Sequence, residues 1–128
     1  MQSLMRQVHA IVAWLLVGAI VVQVWLAGVA IPQLGGQGGF GTHVDVGYSL
    51  GLVVLALLLT ALVAGLGRRR VLQSAGILGL YVIQTLLPNI GVNAIEALHP
   101  VNAALMFVAS LLYARAVWRE RNAPPSLA

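Results

Sequence analysis

Residues Thr42–Leu66 read THVDVGYSLGLVVLALLLTALVAGL, and this stretch decides the fold. It is long enough to cross a lipid bilayer as a helix, which takes roughly 20 apolar residues. Asp45, its one charged residue, lies at its start. Three further runs have the same character: Val8–Ile31, Val71–Leu87 and Ala94–Trp118. With 60% hydrophobic and 8% charged residues, the composition excludes an ordinary water-soluble globule. The expected fold is all-α: a polytopic four-helix transmembrane bundle, one domain over residues 1–128. The run 71–87 is the shortest and has to stand nearly upright or thin the bilayer.

The seven basic residues are all arginines. Arg6 precedes the first run, Arg68, Arg69 and Arg70 fill the turn after the second, and Arg115, Arg119 and Arg121 close the fourth. None lies in the connections Pro32–Gly41 and Pro88–Asn93. Arginine-rich segments stay in the cytoplasm, so both termini are expected inside, in a bacterial cytoplasmic (inner) membrane. Asp45 and Glu96 then fall on the outer side. The same arginines account for a pI near 10.8, so no nucleic-acid partner is expected. Ala27-Gly28-Val29-Ala30 resembles a signal cleavage site, but the preceding apolar run exceeds the usual signal length and reads as a retained helix.

The chain reads as a duplicated hairpin. Val21-Val22-Gln23-Val24-Trp25-Leu26 parallels Val82-Ile83-Gln84-Thr85-Leu86-Leu87, and each is followed by a turn and a helix with histidine near its start. Parallel repeats are related by a two-fold axis along the membrane normal. Helices two and four then lie on a diagonal, with His43 and His99 facing the axis. Imidazole inside a lipid-embedded bundle is costly and marks function. A helix N-terminus favours the neutral ring, which keeps the lone pair a metal needs. Two such rings at one depth point to axial ligation of a haem iron by His43 and His99, the alternatives being a structural pair bonded to the glutamines, or a quinone, metal-ion or proton site.

On helix two His43, Gly47 and Gly51 share a face, and the glycines are expected to open a trough for a porphyrin edge. They also form a small-residue motif for close helix packing. On helix four His99, Asn102, Ala103 and Met106 share a face. Gln23 and Gln84, at the histidine level, are expected either to contact the cofactor or to bridge helices. His9 stands alone at the cytoplasmic end and reads as an interfacial residue. Trp25 and Trp118 mark opposite membrane edges; Trp14 belongs to no cofactor box. Gly35-Gly36-Gln37-Gly38-Gly39-Phe40-Gly41 lacks the lysine of a phosphate loop and reads as a flexible connector. Thr42 with Asp45 suits a capping box; helix four starts either at Asn93, with Glu96 in its first turn, or at Pro100. The absence of cysteine excludes disulfides, iron–sulfur clusters and thioether-linked haem, leaving non-covalent haem b.

The segments Phe40–Tyr48 and Ala97–Leu105 resemble a family of small four-helix bacterial membrane proteins without an assigned function. More distantly, the chain is similar to one half of haem A synthase, whose halves are four-helix bundles that bind haem through histidines of their second and fourth helices. The matching positions here are His43 and His99. The resemblance implies a haem-binding bundle; with one half present, it does not imply the synthase reaction. The expected role is one-electron transfer, with a quinol or as an accessory subunit of a membrane redox complex, more carrier than enzyme. The alternative is a structural or assembly subunit of a membrane complex, with no cofactor. Four helices leave little room for a transporter's alternating pathway.

Overall fold

The computed structural model describes residues 2–122 and is helical in all its regular elements. The elements are α1 (Gln2–Ala30), α2 (Gly41–Val63), α3 (Arg68–Leu86), a four-residue α4 (Asn93–Glu96) and α5 (His99–Asn122). Short 3-10 turns, Pro32–Leu34 and Leu87–Asn89, end the first helix of each hairpin. Each carries a proline, which has no N–H with which to continue a helix. Four segments are long and apolar enough to cross a membrane: Gln2–Ala30, Gly41–Val63, Arg68–Asn89 and Asn93–Asn122.

α1 packs on α2 and α5, and α3 packs on the same two helices, so α2 and α5 oppose each other across the bundle. This is the diagonal that the repeat predicts. The core is a stripe from each helix: Ala10, Ala13, Leu16 and Ile20 from α1, Leu50, Val54 and Leu57 from α2, Ile77 from α3, and Met106, Tyr113 and Val117 from α5. Their three- and four-residue spacings bring one face of each helix to the axis. The outward faces are also apolar, with Leu15, Leu52, Leu59, Leu72 and Leu112 exposed. A surface of this kind suits hydrocarbon rather than water.

Several helix ends differ from the sequence expectation. Arg68, Arg69 and Arg70 open α3 instead of filling the turn before it. The turn is made by glycine. Gly65 and Gly67 have φ of +60° and +80°. Gly65 N–H donates to the Leu62 carbonyl (3.1 Å) and Leu66 N–H to that of Ala61 (3.3 Å). That pair of bonds is a Schellman stop, which needs a left-handed residue at Gly65. The proposed Thr42–Asp45 capping box does not form. α2 begins at Gly41 after Phe40, with no side-chain cap. Glu96 accepts instead from Gly91 N–H at 3.0 Å. Helix four has both of its expected starts: α4 begins at Asn93, the chain turns at Ala97–Leu98, and α5 restarts at His99 with Pro100 in its first turn.

Candidate functional site

His43 lies in the first turn of α2, and its Nδ1 is 3.1 Å from the backbone carbonyl of Gln23 in α1. A carbonyl only accepts, so this contact is a bond in the tautomer that carries its hydrogen on Nδ1 and its lone pair on Nε2. The Gln23 side chain faces one turn of α2. With its NH2 turned inward, it donates to the His43 carbonyl (3.1 Å), lies 3.0 Å from His43 Nδ1 and accepts from Gly47 N–H (2.8 Å), so either His43 tautomer finds a partner at Nδ1. The Gln23 amide thus bonds both backbone ends of the turn that carries His43.

The second hairpin repeats the first bond. His99 Nδ1 donates to the backbone carbonyl of Gln84 in α3, again at 3.1 Å. The surroundings then diverge. Gln84 Nε2 donates to His99 Nε2 at 3.0 Å, and Gln84 Oε1 accepts from Asn102 Nδ2 at 2.7 Å. Asn102 Nδ2 also donates to the Leu80 carbonyl at 2.9 Å. Asn102 is buried, which fixes the end of this chain of bonds.

The two imidazoles meet across the diagonal. Their ring centres are 6.2 Å apart and their planes 74° from parallel. Phe40 stands edge-on to His43 at 6.0 Å. Both histidines are half-buried. Among the described residues, no three or more His, Cys, Asp or Glu side chains come together as a metal-ligand group. The imidazoles brought together at this end are those of His43 and His99.

The predicted trough below His43 is occupied. A Cβ on Gly47 would meet the Gln23 amide at 3.5 Å, an ordinary contact. One on Gly51 would lie 2.7 Å from the Tyr81 hydroxyl and 3.1 Å from its ring. Tyr81 fills that space and shares its O–H between the carbonyls of Gly47 (3.2 Å) and Tyr48 (3.1 Å). Gly51 is thus small because α3 delivers an aromatic ring there. Ala103, one turn below His99, is half-buried. A hollow of about 260 Å³ lies between α1 and α2 beside Gln23, lined by Val22, Val46 and Leu50, and does not reach either histidine.

The opposite end holds a second polar cluster, which sequence reasoning missed. His9 is fully buried rather than interfacial. Thr60 donates to the Ala56 carbonyl at 2.7 Å, so His9 Nδ1 donates to Thr60 Oγ1 at 2.8 Å. The Tyr113 hydroxyl donates to His9 Nε2 at 2.8 Å and lies 3.3 Å from the Arg70 carbonyl. Arg70 is itself buried and forks onto Glu120, with Nε 3.0 Å from Oε2. α1, α2, α3 and α5 all contribute to this cluster. The signal was helical phase: His9 precedes the buried Ala13, Leu16 and Ile20 by four, seven and eleven residues, so it lies on the core stripe. Both ring nitrogens are engaged, which leaves His9 no free lone pair. Trp14, Trp25 and Trp118 are exposed, and Arg121 sits 4.3 Å over the Trp118 ring.

No curated protein and no solved structure matches the chain. A family of unknown function, DUF6220, matches residues 23–91. That segment runs from Gln23 through His43, Gly47, Gly51 and Gln84, and covers α2 and α3 whole. Since the match takes in more than half of the 128 residues, the chain belongs to the DUF6220 family.

Proposed function

We propose that the chain is an integral membrane protein that binds one b-type haem between His43 and His99 and carries single electrons. The observation that carries this reading is the matched pair of Nδ1–carbonyl bonds, each 3.1 Å, on two rings 6.2 Å apart. Histidines that bind metals commonly donate their other N–H to a carbonyl or carboxylate, which fixes the tautomer and makes the ligand more basic. His43 and His99, one from each hairpin, would hold the metal centre between them. Two protein ligands are too few for a structural zinc site, which takes four. They suit a haem, which brings its own four equatorial nitrogens.

A bound haem supplies the one-electron couple. The chain's part is to hold the two rings, to keep water out with Ile20, Leu50 and Met106 below them, and to release the Gln84 amide from His99. Because His9 is fully engaged at the other end, electrons would enter and leave on the histidine-pair side. A quinol in the bilayer or a larger membrane redox complex would be the partner. The second reading is the structural one: the Gln84 bonds to His99, with Asn102 holding the Gln84 amide, form a clasp in a non-catalytic assembly subunit. Haem content separates the two. Chain expressed with ample haem should purify with about one haem per chain, removable by acid–acetone because no cysteine can tether it. A folded, colourless product would favour the clasp.

We place both termini in the cytoplasm of a bacterial inner membrane, because the arginines gather in the first turns of α1 and α3 and toward the end of α5. Cysteines introduced singly at Gln37 and Asn122 provide the check. An impermeant thiol reagent on intact cells should label the first and spare the second; the reverse would invert the orientation.

A further inference from the structure

The two histidines are equivalent in the repeat but not in their bonds. We infer that Gln84 is a displaceable cap on His99 Nε2, latched by Asn102, so that His43 is the open ligand and His99 the gated one. This deepens the haem reading by giving the site an order of loading, while the cap itself is testable on haem-free chain.

The asymmetry follows from one pair of repeat positions. Asn102 lies three residues after His99, one turn into α5, and its amide holds Gln84 Oε1 at 2.7 Å. The residue three after His43 is Val46, which has no amide. Gln23 therefore has no latch and bonds the α2 backbone at His43 and Gly47 instead. With Oε1 held by Asn102, the Gln84 NH2 is aimed at His99 Nε2, 3.0 Å away. Among the described residues, His43 Nε2 has no such partner; the bonds at that ring are made at Nδ1. An incoming metal centre meets no side chain on His43 Nε2 and has to displace an amide at His99. The displacement is feasible because Gln84 is held there by a flexible side chain, while its backbone carbonyl keeps the ring in place through Nδ1.

Carbethoxylation by diethylpyrocarbonate reads the lone pair directly, since the reagent attacks an unprotonated, unengaged imidazole nitrogen. Haem-free chain in detergent is treated briefly, and each histidine is quantified by mass spectrometry. His43 should react at least about fivefold faster than His99, the factor that one hydrogen bond of about 1 kcal/mol supplies. Gln84→Ala and Asn102→Val should each raise His99 to the rate of His43. His9, buried with both nitrogens bonded, should stay unreactive and so reports an intact bundle in every variant. Equal rates at His43 and His99 in the unaltered chain would overturn the cap. So would a slow His99 in both variants while His9 stays protected. A chain that passes this test yet never takes up haem would retain the cap and lose the haem reading.

Discussion

Replacing His9 by alanine is expected to lower the stability of the bundle by about 3 kcal/mol, the middle of the range for emptying a filled core position. The imidazole is fully buried and joins Thr60 in α2 to Tyr113 in α5. Its loss leaves a cavity and removes the partners of two hydroxyls. Within membranes each such bond contributes about 0.6 kcal/mol on average, so most of the loss comes from packing. Thr60→Val, which keeps the volume and removes only the hydroxyl's bonds to His9 and to its own helix, should therefore cost far less than His9→Ala. Thermal unfolding in detergent, followed by helical circular dichroism, measures both. A His9→Ala chain that melts with the unaltered one would return His9 to the interface.

His43→Ala and His99→Ala are each expected to weaken haem retention by more than 100-fold. Removing a group that only orients a metal ligand already costs about 10–100-fold, and these substitutions remove the proposed ligand itself. Both variants should keep their helix content, because the rings are half-buried at one end of the bundle and the core stripe lies below them. Haem per folded chain, after a wash with competing apomyoglobin, gives the comparison. Retention unchanged in either variant would show that the ring is no ligand.

Much of the architecture was legible. Four long apolar runs, and glutamine-then-histidine in two of the hairpin halves, were enough to set α2 and α5 on a diagonal and His43 against His99. Helix ends were less so. Arg68–Arg70 read as a turn because charge marks a membrane edge, yet glycines 65 and 67 supply the φ values that a turn needs. The trough was misread for a different reason. A glycine in sequence shows that a side chain is missing, not what enters the space. Here Tyr81 and Gln23 enter from neighbouring helices. His9 was misplaced because a polar residue near a helix end looks interfacial until its phase is compared with the core stripe. The difference between the histidines was hidden as well, since it depends on Asn102 reaching a residue of another helix.

The central claim is that His43 and His99 are a ligand pair. The visible absorption spectrum of the purified chain, oxidised and then reduced with dithionite, tests it most directly. Chain produced with ample haem should show the spectrum of a low-spin, six-coordinate haem with two imidazole ligands, and the His43→Ala and His99→Ala variants should lose it. A correctly folded chain with no haem absorbance, or a spectrum that survives both substitutions, would contradict the account.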